Sequence, residues 1–99
     1  MNYLTNYFSD TTINYEEVDI QYDHWKKNEI RLGFLHPETL LSYYNLASIY
    51  HKYGMFDKEE DIYLQCLKEL RNSLGDYHSE TILTINNLII FYINQKQLM

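Results

Sequence analysis

The chain has 99 residues, 45% of them apolar, and a net charge of −6. That length allows one domain at most, and a domain this small buries about two-thirds of its unfolded surface. The acidic balance, with no cluster of Lys or Arg, argues against nucleic acid as a partner.

A single cysteine, Cys66, leaves no internal disulfide to form and fits a reducing compartment. The opening stretch, MNYLTNYFSDTT, has neither the basic n-region nor the apolar h-region of a secretory signal. The longest apolar run, residues 88–93, is far too short to cross a bilayer. The expected location is the cytoplasm, with no membrane partner. The eleven tyrosines, with the many Asn and Ile, read as the mark of an AT-rich genome rather than as chemistry.

In chain order, NYLTNY at 2–7 is a faint match to NLASIY at 45–50. Residues 15–31 predict a helix, with Glu16, Glu17 and Asp19 early and Lys26, Lys27 and Arg31 late, the order that suits the helix dipole. Leu32-Gly33 breaks it. Pro37 then sits well at a first helical position, with Glu38 in the first turn. Tyr43, Leu46, Ala47 and Tyr50 form one apolar stripe at helical spacing, and Gly54 closes the helix. A second helix is expected from about Asp57 to Ser73, with the stripe Ile62, Tyr63, Cys66, Leu67 and Leu70. Leu74-Gly75 breaks the chain again, a further helix follows, and a turn is expected at 95–97.

Most of this is written twice. LGFLHPETL at 32–40 and LGDYHSETI at 74–82 stand 42 residues apart. At the same shift Asn45-Leu46 meets Asn87-Leu88, and Tyr50 meets Tyr92. A third copy precedes them: NYEEVDIQYDHW at 14–25 resembles MFDKEEDIYLQC at 55–66, at a shift of 41, so one residue is missing before Leu32. Helix pairs at a fixed period stack into solenoids, because one pair cannot bury its apolar face alone. The expected fold is all-α, antiparallel helix pairs stacked as a short superhelical solenoid. Residues 1–31 would be a divergent first repeat, 32–73 a full one, and 74–99 a repeat lacking its second helix.

The pattern LG..HPET, then NLA..Y, then G.F, resembles the tetratricopeptide repeats of kinesin light chains, nephrocystin-3-like proteins and the sensor arrays of some signalling ATPases. The resemblance covers residues 32–92 well and 14–31 loosely. It implies a small residue at positions 25, 59 and 89, where helices approach closely, yet Trp25, Glu59 and Ile89 stand there. Cys66 and Ala47 keep the pattern. Large residues at such sites cost about 1–3 kcal/mol each unless neighbours move.

The resemblance also implies that first helices line a concave surface that binds a partner peptide or protein segment. The helical wheel places Leu41, Tyr44, Asn45, Ser48 and Lys52 on that face, and Leu83, Asn86, Asn87, Ile90 and Asn94 one repeat later. Asn45 and Asn87 would contact the peptide backbone, since an amide offers both a donor and an acceptor. The alternative is that they merely bond across the helix interface or to water. A basic or neutral peptide fits the net charge better than an acidic one, although most of the charge lies on the second helices.

Other sites are weak. His36 and His78 are equivalent loop positions and read as hydrogen-bonded loop closers rather than metal ligands. His51 and Cys66 do not have the spacing of a nucleophile pair, and Cys66 sits on an apolar stripe. The run Glu59–Asp61 reads as a solvated helix start. Gly33, Gly54 and Gly75 are isolated breakers, not a phosphate loop. No catalytic constellation, cofactor or metal site is expected. The competing reading is an incomplete repeat that self-associates through its open ends or completes a longer repeat protein.

Overall fold

The computed structural model describes residues 12–98, with side chains to Lys96; the faint match at 2–7 lies outside them. All regular structure among the described residues is helical: α1 Tyr15–Leu32, α2 Pro37–Lys52, α3 Phe56–Leu74 and α4 Ser79–Leu98. None of these helices is long and apolar enough to cross a membrane. Two compact units meet inside α3, between Glu59 and Glu60.

The recurring loop is built the same way both times. His36 is the N-cap of α2, and its Nδ1 accepts the backbone N–H of Glu38 at 3.1 Å. His78 Nδ1 accepts that of Glu80, also at 3.1 Å. The carbonyls of the two histidines accept from Leu40 and Ile82, each at 3.0 Å. Gly33 and Gly75 share a φ of 88°, and their N–H groups donate to Glu29 and Arg71. Each Nδ1 uses its lone pair to accept this bond. They satisfy one of the N–H groups that a helix start leaves open.

The end of α2 is a Schellman motif: Met55 N–H reaches Tyr50 O at 2.8 Å, and Gly54 N–H reaches His51 O at 3.0 Å. Gly54 has a φ of 70°, which glycine adopts without the Cβ penalty.

In the first unit α1 packs along α2. Trp25 meets Tyr43 edge-on at 5.3 Å, and Phe34 meets the same ring at 5.6 Å. Such aromatic pairs add about 0.5–1.5 kcal/mol beyond the area they bury. A polar seam runs beside them. Thr39 Oγ1 donates to the Asn28 carbonyl at 3.2 Å, and Asn28 Nδ2 donates to the Glu38 carbonyl at 3.4 Å. The expected stripe of α2 is buried in full: Tyr43, Leu46, Ala47 and Tyr50.

In the second unit Ile62, Cys66 and Leu70 of α3 are buried, as are Thr81, Thr84, Leu88 and Phe91 of α4. Tyr63 meets Phe91 at 6.1 Å, and Cys66 Sγ lies 3.8 Å from Thr84 Oγ1.

Four details depart from the sequence-based expectations. The helix α4 runs through the expected turn at 95–97 to Leu98. The residue 42 places after Gly54 is Lys96, and with Gln95 and Gln97 beside it nothing breaks the helix. Glu59 is not solvated but buried, its carboxylate 3.0 Å from His51 Nδ1. Trp25 is buried, its indole capped by Lys26 Nζ at 4.6 Å from the ring centroid, and among the described residues its Nε1–H has no hydrogen-bond partner. Ile89 is exposed rather than crowded.

The missing residue of the first copy can also be placed. Val18 and Trp25 match the buried Glu59 and Cys66 at a shift of 41, while buried Asn28 matches Leu70 at 42. The deletion falls between Trp25 and Asn28, and α1 has 18 residues against 19 in α3.

Replacing either cap, His36→Ala or His78→Ala, should lower stability by about 0.5–2 kcal/mol, while Asn at the same place keeps most of it. Urea unfolding followed by far-ultraviolet circular dichroism checks this; unchanged midpoints in both alanine variants would rule out the cap role.

Candidate functional site

Helix α2 has three distinct sides. Thr39, Ser42, Tyr43, Leu46 and Tyr50 are buried, and the bonds and ring contacts of this side run to α1. Leu40 and Ala47 are buried on the adjacent side. There the first turn of α3 is tied down: His51 bonds Glu59, and its ring lies 5.7 Å from that of Phe56. The remaining side carries the expected binding residues Leu41, Asn45, Ser48 and Lys52, all exposed, with Tyr44 half-buried at its edge. Leu41 is 61% exposed, so an apolar side chain is left in water by the fold.

Within the second unit the same side of α4 carries Leu83, Asn86, Ile90 and Asn94, exposed, and Asn87, half-buried. Among the described residues no hydrogen bond occupies the side-chain amide of Asn45 or of Asn87.

Lys52 has partners of its own. Its Nζ lies 3.4 Å from Glu17 Oε1 and 5.0 Å from the centroid of the Tyr53 ring. The Tyr53 hydroxyl donates to the other Glu17 oxygen. This latch ties the start of α1 to the end of α2. The Tyr53 hydrogen bond, helped by the Lys52 ammonium, holds the Glu17 carboxyl below its ordinary value. The bond to Glu17 raises Tyr53 in turn. Bonds to Tyr53 and Glu17 raise Lys52. Sequence reasoning missed the latch, since Glu17 and Tyr53 are 36 residues apart and carry no local signal.

Cys66 is buried and its thiol is pushed up to about 11 by burial, so it is a core residue rather than a thiolate nucleophile. Among the described residues no three His, Cys, Asp or Glu side chains are placed to hold a metal ion. A shallow groove along α3 is lined by Leu64, Leu67, Lys68 and Arg71, but the Arg71 guanidinium is committed to Asp76 at 2.7 Å.

No protein-family model matches the chain, and neither a curated protein nor a solved structure does.

The latch makes stability depend on pH with a definite sign. A carboxyl held low when folded contributes above its unfolded value, about 4.3, and loses that contribution as pH falls through its folded value. The stability gap between the natural chain and Glu17→Gln should be present at pH 7 and close on acidification. Urea midpoints at pH 7, 4 and 3 measure it. A gap that does not change across that range would contradict the latch.

Proposed function

We propose that the chain is a non-enzymatic, tetratricopeptide-type interaction module that binds a partner peptide or protein segment through the exposed sides of its first helices. One observation carries the reading: Leu41 and Asn45 on α2 recur as Leu83 and Asn87 on α4 at a shift of 42, and none of the four is fully buried. The amides suit backbone recognition because each can donate and accept at once. The flanking apolar side chains would supply the area that a peptide must bury. Repeated helix pairs of the tetratricopeptide kind present such first-helix sides to ligands along a concave surface. The net charge of −6 supports a neutral or basic peptide over nucleic acid.

A second reading, assembly with another helical chain, has the apolar outer side of α4 in its favour, where Ile82, Ile89 and Ile93 are exposed.

Panning the 99-residue chain against a displayed library of twelve-residue peptides tests the first reading. Enriched peptides should bind the natural chain and bind Asn45→Ala or Asn87→Ala about fivefold to tenfold more weakly, the worth of one net hydrogen bond, with helicity unchanged. No enrichment, or peptides indifferent to both variants, would refute it.

A further inference from the structure

Among the residues assigned to the ligand sides of α2 and α4, Lys52 alone carries a charge. It stands seven residues beyond Asn45 on the same stripe, about 10 Å along the helix axis. A peptide held at Asn45 therefore reaches it. A free ammonium at that place draws acidic side chains.

This ammonium is not free. Its Nζ lies 3.4 Å from Glu17 Oε1, and the pair is open to solvent, with the Lys52 side chain 56% and the Glu17 side chain 31% exposed. Glu17 is in turn held in place from two sides. Asn14 Oδ1 accepts the Glu17 backbone N–H at 3.1 Å, which fixes the first turn of α1. The Tyr53 hydroxyl, on a ring only 9% exposed, donates to Glu17 Oε2. The charge of the ligand side of α2 is thus set by a residue of α1.

The chemistry sorts incoming residues by sign. Glu17 and Lys52 cancel, so the end of α2 offers no net positive charge. An acidic residue placed over Lys52 meets the Glu17 carboxylate too, and gains the ammonium only by displacing it. A basic residue meets no such demand. Of about four lone-pair sites on a carboxylate, Lys52 and Tyr53 take two on Glu17. The others can accept from a Lys or Arg of the ligand.

We propose that Glu17 determines the specificity of the α2 ligand side: by holding Lys52 it excludes an acidic residue of the bound peptide from that end and admits a basic or uncharged one. The inference rests on the reading of this side as a peptide-binding site, and it names the class of peptide.

The probe is the twelve-residue peptide that panning of the natural chain enriches most, labelled with fluorescein. Each of its positions is changed in turn to glutamate, and binding is read by anisotropy. At one position glutamate should weaken binding to the natural chain about threefold to fivefold, the upper range for a surface charge contact. Glu17→Gln should erase or reverse that loss at the same position. Adding Lys52→Gln should cancel the gain, because the incoming carboxylate then has no partner. Gln keeps an acceptor for the Tyr53 hydroxyl, so helicity by circular dichroism should hold. Glu16→Gln removes the same charge one residue away, at an exposed position, and should leave the loss in place. A natural chain indifferent to every glutamate overturns the proposal. So do equal losses in the natural and Glu17→Gln chains; if Asn45→Ala still weakens binding, the first-helix reading survives that result. An equal recovery in Glu16→Gln also overturns it, because net charge rather than the Glu17–Lys52 pair would then set the preference. A library that yields no peptide for the natural chain refutes the first-helix reading and the proposal with it.

Discussion

A helix with apolar residues on two adjacent sides needs a neighbour for each, and the rest of the structure follows from how that need is met. In α2 it is met twice. Trp25 and Asn28 of α1 cover the side of Tyr43 and Thr39. Leu40 and Ala47 are buried on the adjacent side, and the His51–Glu59 pair holds the first turn of α3 to the end of α2. Only a third side is left to water, and that side carries the amides and the isolated leucine proposed to meet a ligand. In α4 the need is met once. Thr81, Thr84, Leu88 and Phe91 are buried in the second unit, while Ile82 and Ile89 are not.

Much of this was legible in the sequence because it is written in local chemistry. The loop-and-helix unit could be read from Gly33, His36, Pro37 and Gly54, each of which acts within five residues of itself. The stripe Tyr43, Leu46, Ala47 and Tyr50 was legible from spacing alone, and so was the burial of Cys66. What could not be read depends on partners far apart in the chain. Glu59 looked like a solvated charge because its neighbours are Glu60 and Asp61. Its burial is decided by His51, eight residues earlier. Trp25 looked too large for a close approach, but its ring lies edge-on to Tyr43 at 5.3 Å. The sequence also does not announce that α4 continues through 95–97. The turn was expected by analogy with the first copy, and the glycine that makes the turn there is a lysine here.

The candidate ligand side was legible as positions on a wheel, not as a site. The structure adds that Leu41, Asn45, Leu83 and Ile90 are spared by packing, and that Lys52 is engaged by Glu17 and Tyr53. A ligand reaching Lys52 would therefore have to compete with a latch that also holds α1 to α2.

The central claim is that α2 is covered on two sides and α4 on one. Residue-resolved amide hydrogen exchange of the free 99-residue chain tests it most directly, because opening of a helix tracks how much of it is packed. The account predicts that amides of Leu46, Ala47 and Tyr50 in α2 exchange through a higher opening free energy than those of Leu88, Ile89 and Tyr92 in α4. Equal protection of the two sets in a monomeric chain would contradict it.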